Sequence, residues 1–147
     1  MKYAIIIPAR HASSRLPGKP LIDLCGLPMI IRTYQQCVQA APAEQVFVAT
    51  DSEEIRHTCE QAGIRTIMTS SRCLTGTDRV AEVAEQIEAD TFINVQGDEP
   101  LFNPADLRLL IEAALASNKS VINGYCAISD EEAFRNPSMP KVVFRPD

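Results

Sequence analysis

Met1-Lys2-Tyr3-Ala4-Ile5-Ile6-Ile7-Pro8-Ala9-Arg10-His11-Ala12-Ser13-Ser14-Arg15-Leu16-Pro17-Gly18-Lys19-Pro20 opens the chain with an apolar strand that empties into a polar loop. The strand, Tyr3 to Pro8, is apolar without alternation, as a strand covered on both faces must be. The loop carries three cations (Arg10, Arg15 and Lys19), two serines and a Pro-Gly turn. In α/β proteins, loops at the carboxyl ends of buried strands carry charge to a ligand. Each cation–phosphate pairing at ~4 Å is worth about 4 kcal/mol at an effective dielectric near ~20, before desolvation. A triphosphate therefore matches this loop, although a solvated basic loop has the same composition.

Outward from that strand, the pattern repeats. A helix is predicted over residues 28–40 and an apolar strand over 45–50. Asp51 or Ser52 can cap the next helix, which Gly63 ends. Further strands are predicted over 65–68, 91–95, 121–128 and 141–144, with helices over 77–87, 104–116 and 130–134. Asn103-Pro104-Ala105-Asp106 is a strong helix start, with cap, proline and acid in order. Strand–helix alternation predicts an α/β fold: three layers around a mostly parallel sheet, with the polar loops gathered at one edge.

Two of those loops carry chemistry. Val95-Gln96-Gly97-Asp98 sets an acid just beyond a buried strand, where it can hold Mg2+ against phosphates, or merely cap a turn. Thr75-Gly76-Thr77-Asp78-Arg79 opens a helix whose first N–H groups are free. Thr75 with Asp78 also reads as a capping box. Arg79 opposes the helix dipole in that first turn, so it calls for a partner such as a nucleobase or a phosphate.

The 147 residues suit one domain. The net charge of −5 excludes broad nucleic-acid binding, which needs a basic face. No apolar run reaches the ~20 residues of a membrane span. Five cysteines in no C-x-x-C pair read as reduced, mostly packed thiols of a cytoplasmic protein. Neither the G-x-G-x-x-G fingerprint nor the P-loop pattern is present.

The segments Ile7–Arg10, Ser13–Leu21, Gly26–Ile30, Val48–Asp51, Met68-Thr69, Thr75–Arg79 and Asn94–Pro100 resemble the CMP-Kdo synthetases, the 3-deoxy-manno-octulosonate cytidylyltransferases. The resemblance implies a Rossmann-like, glycosyltransferase-A-like nucleotidyltransferase fold. It implies joining of CTP to the sugar acid Kdo for lipopolysaccharide synthesis, with pyrophosphate released. Arg10 and Lys19 would act on the triphosphate with help from Arg15, and Asp98 would bind magnesium. Pro8, Ala9, Arg79 and the Thr75-Gly76 backbone would hold the cytidine, and Gln96 would face the sugar acid. It further implies that residues 1–147 are the nucleotide-binding part of a longer domain, which is a homodimer and carries a second metal aspartate beyond Asp147. A non-catalytic nucleotide-binding module, or an enzyme for 8-amino-Kdo or sialic acid, stays open as an alternative.

Overall fold

The computed structural model describes residues 2–12 and 16–143. Four parallel strands form one sheet in the order β3-β2-β1-β4, with β1 Tyr3–Ala9, β2 Val46–Thr50, β3 Thr66–Met68 and β4 Thr91–Asn94. The register sets Ile5 beside Val46 on one side and beside Ile93 on the other. The α-helices are α1 (Met29–Ala40), α2 (Glu53–Gln61), α3 (Gly76–Ala84), α4 (Pro104–Ala116) and the short α5 (Glu131–Arg135), beside two 3-10 turns at Lys19–Leu21 and Ala43–Gln45.

Successive side chains of β1 divide between two cores, as strand geometry requires. Ile5, Ile7 and Ala9 pack with Ile30, Ile31 and Cys37 of α1, Ile55 and Cys59 of α2, and Leu107 and Ile111 of α4. Ala4 and Ile6 face the other way, with Phe47, Ala49, and Val80 and Val83 of α3. The three-layer parallel architecture read from the sequence is therefore the one observed. No helix among the described residues is long and apolar enough to cross a membrane.

Helix starts follow local sequence. Ser52 caps α2 by accepting from Ile55 N, and Asn103 caps α4 by accepting from Ala105 N. Gly63, at φ +73°, follows α2 in the left-handed region that a side chain would resist.

Three expectations need correction. Residues 121–128 form no strand: Val121 is 76% exposed and Tyr125 65%. A run of apolar and aromatic residues does not by itself make a strand, which needs a neighbouring ladder, and residues 121–124 instead line a cleft beside β4 and α4. Residues 141–143 are likewise irregular, and Phe144 lies outside the described residues. Helix α3 stops at Ala84, short of Ile87, where the Gln86 N–H takes a tighter i→i−3 bond to the Val83 carbonyl.

Candidate nucleotide-binding site

Pro8 explains why the sheet opens at this edge. Val95 N donates to Ile6 O at 3.0 Å, as the last rung between β1 and the chain leaving β4. Two residues on, Pro8 faces the same neighbour, and the N–H that proline lacks falls where that ladder has ended. The two chains stay close only because residue 97 is glycine: a Cβ there would meet Pro8 O at 2.7 Å. From the helical side, the buried Thr33 hydroxyl donates to Gly97 O at 3.1 Å. The Gln96–Asp98 loop is thus fixed from two directions.

Beyond this point lies a cavity of about 530 Å³. Pro8, Ala9 and Arg10 from the end of β1 line it, as do Lys19 from the first loop and Thr75, Gly76 and Arg79 from the start of α3. Gln96 and Asp98 complete the wall. Every predicted site residue except Arg15 therefore converges on one space, and Arg15 lies outside the described residues, as do Ser13 and Ser14. Leu16, Pro20, Met29 and Gly97 also line the cavity; all four fall in the segments that carry the family resemblance, although none was assigned a role.

The cationic end is half open to solvent. Lys19 Nζ donates to Asp98 Oδ2 at 2.6 Å, with side chains 37% and 49% exposed. A tight turn at Gly18, φ +70°, sets Lys19 there, and Gly18 N donates to His11 O at 3.0 Å. Arg10 Nη1 donates to Leu74 O at 3.2 Å, which ties the first loop to the loop preceding α3. His11 is exposed and sits 3.5 Å from Glu54.

At the other end, the start of α3 is locked by its own sequence. Thr75 and Asp78 form the full capping box, Asp78 N donating to Thr75 Oγ1 at 3.1 Å and Thr75 N to Asp78 Oδ2 at 2.8 Å. The hydrogen bonds from Thr75 hold the Asp78 carboxyl below its ordinary value of 3.8. From α3, Glu82 reaches back to the preceding loop, accepting from Cys73 Sγ at 2.9 Å and from Ser70 N at 2.7 Å. Those bonds, from the thiol first, hold Glu82 below the usual carboxylate range.

Arg79 is the surprise. It lines the cavity, yet its side chain is only 2% exposed and is paired within the protein. Nη2 lies 3.2 Å from Asp51 Oδ2, and Nη1 donates to the hydroxyl of Thr69. Sequence reasoning found the need for a partner but not the partner. Asp51 is not the cap of α2, a role taken by Ser52.

The cysteines divide. Cys37 and Cys59 are buried, and burial pushes both thiols up to about 12. Cys25 and Cys126 are exposed, so fewer thiols are packed than the composition led us to expect.

The donor set fits magnesium in one way only. No group of three or more His, Cys, Asp or Glu residues that could hold a metal occurs among the described residues. A single carboxylate beside a cationic loop suits an ion that takes its remaining ligands from phosphate oxygens and water, as Mg2+ does.

Against known proteins, residues 4–147 match the model of the family described as cytidylyltransferase. The 3-deoxy-manno-octulosonate cytidylyltransferase of Escherichia coli is 43% identical over 143 residues, which cover 97% of this chain and 58% of that protein. The enzyme of the same name from Chlorobium limicola is 49% identical over 146 residues, covering 97% and 59%. The chain thus spans somewhat over half the length of these relatives. Among solved structures, a CMP:2-keto-3-deoxy-manno-octonic acid synthetase complexed with CTP is 44% identical, with a TM-score of 0.75 over 78% of this chain and 48% of that one. A cytidylyltransferase from Leptospira borgpetersenii matches at 25% identity and a TM-score of 0.70, over 80% and 50%.

Proposed function

The chain belongs to the cytidylyltransferase family, and on that premise we propose that it carries the CTP-gripping part of a 3-deoxy-manno-octulosonate cytidylyltransferase. The observation that carries this reading is the convergence of Arg10, Lys19, Asp98, Thr75, Gly76 and Arg79 on one cavity at the carboxyl edge of the sheet.

In this reading the triphosphate lies along the cationic end. Lys19 and Arg10 neutralise its charge, and the charge that accumulates on the departing pyrophosphate, which is electrostatic stabilisation of a transfer rather than covalent catalysis. Arg15 adds to the same clamp. Lys19 meets the nucleotide by exchanging a carboxylate for a phosphate oxygen, so the exposed Lys19–Asp98 pair opens without unfolding anything around it. Asp98, once released, would hold Mg2+; that ion would supply charge neutralisation and orientation of the α-phosphate. The cytidine rests against Pro8, Ala9, Arg79 and the Thr75-Gly76 backbone, and Gln96 faces the sugar acid. The anomeric hydroxyl of Kdo attacks the α-phosphorus in line. The new C–O–P bond forms as the Pα–O–Pβ bond breaks, and the hydroxyl proton passes to solvent. The cytoplasmic setting and homodimeric assembly implied by the resemblance belong to the same proposal.

The test is pyrophosphate release by the protein carrying this chain, supplied with CTP, Kdo and Mg2+. Release that needs all three, and that exceeds release with UTP, 8-amino-Kdo or sialic acid, supports the reading. Absence of release with every sugar acid would overturn it.

A further inference from the structure

A guanidinium in the first turn of a helix opposes the dipole, and Arg79 has in addition left water almost entirely. What compensates it comes from two strand ends. Asp51 directly follows β2 and meets Nη2; Thr69 directly follows β3 and accepts from Nη1. Those ends are themselves tied, Thr69 N donating to Thr50 O at 2.9 Å. The second oxygen of Asp51 is buried and accepts no hydrogen bond from the described residues. Among them, then, the guanidinium is what accounts for a carboxylate at that depth. Asp51 is absent from the cavity wall, whereas Arg79 is part of it, beside Thr75 and Gly76. Asp51 can therefore act on a ligand only through Arg79.

We infer that Asp51 and Thr69 are positioning residues, which clamp the Arg79 guanidinium as a rigid hydrogen-bond donor in the wall of the nucleotide cavity. A guanidinium is planar with five N–H donors in fixed directions. Two contacts on two different nitrogens set both its plane and its rotation, so the remaining N–H groups are aimed before any ligand arrives. A fixed donor rewards a ligand that offers an acceptor at that place and penalises one that offers another donor. Resting on the CTP reading above, the selected base is one with adjacent carbonyl and unprotonated ring-nitrogen acceptors, as in cytosine. Uracil carries N3–H at the equivalent position.

The experiment uses the protein carrying this chain, with Asp51→Asn, Thr69→Val and the conservative Thr69→Ser. Expected for the first two is a rise in KM for CTP of roughly tenfold to a hundredfold. The CTP-over-UTP preference in kcat/KM should shrink alongside, with kcat little changed, while Thr69→Ser stays near wild type. Folded variants that lose thermal stability but keep KM and nucleotide preference would overturn the inference, because a purely structural brace would behave that way. If Asp51→Asn does not fold, Thr69→Val and Thr69→Ser decide alone. A second readout needs no nucleotide: the Arg79 Nε–Hε signal in the free protein. It should be sharp and slowly exchanging in wild type and broadened in Thr69→Val; no difference between the two overturns the clamp. Should wild type ignore CTP altogether, the function proposed above falls, and this signal still judges the clamp.

Discussion

Arg79–Asp51 and Lys19–Asp98 are both cation–carboxylate pairs at the carboxyl edge of one sheet, yet they live in different solvents. The first has side chains 2% and 12% exposed; the second, 37% and 49%. A buried pair is held by the penalty of stranding either partner in a medium that cannot solvate it. An exposed pair is worth little, because water and salt compete for both ends. The buried pair is accordingly suited to fixing geometry, and the exposed pair to being exchanged when an anion and a cation arrive together. One cavity thus has a rigid end and an exchangeable end.

Variants at each end test that contrast, and the largest effect should come from the buried end. Asp51→Ala leaves Arg79 without its carboxylate and should lower unfolding free energy by about 3–5 kcal/mol in urea titrations. A loss under ~1 kcal/mol would mean the two pairs are energetically alike. At the other end, Asp98→Ala should reduce pyrophosphate release by about 10²–10³-fold while stability moves by no more than ~1 kcal/mol. Wild-type turnover in that variant would remove Asp98 from the site.

Between the two ends runs the contact of Gly97 with Pro8. Gly97→Ala forces a Cβ to within 2.7 Å of a backbone carbonyl, which cannot swing aside as a side chain tip can. A destabilisation of about 1–3 kcal/mol is expected, read by thermal melts. The smallest effect is the pH dependence of the α3 cap. The folded Asp78 carboxyl is held below its ordinary 3.8 by Thr75. Its contribution is therefore present above that unfolded value and lost as pH falls through the lower folded one. Stability differences between wild type and Asp78→Asn should shrink across that acid window and stay constant near neutrality; a difference that persists in strong acid would contradict the cap's electrostatic part.

The same contrast explains what the sequence made legible. Thr75 with Asp78, and Asn103 with Pro104, are read within a single turn, so their helix starts were visible as strings. Lys19 and Asp98 were each placed by the strand before them, and parallel topology alone then brought them to one edge. The partner of Arg79 was not visible, because Asp51 lies 28 positions away and is brought near by the packing of α3 against β2. Asp51 also had a plausible local role as a cap, which Ser52 fills instead. Residues 121–128 failed for the complementary reason: their apolar and aromatic content suits a strand locally, but a strand is completed only by a neighbour's backbone.

In the proposed reading, loops from the ends of β1 and β4 and the start of α3 hold one nucleotide. Amide chemical-shift mapping of this chain on addition of CTP with Mg2+ tests it most directly. Perturbations are expected to concentrate at Ala9, Arg10, Lys19, Thr75, Gly76, Gln96 and Asp98. Perturbations confined to the cleft of residues 119–124, or an unchanged spectrum at saturating CTP, would contradict it.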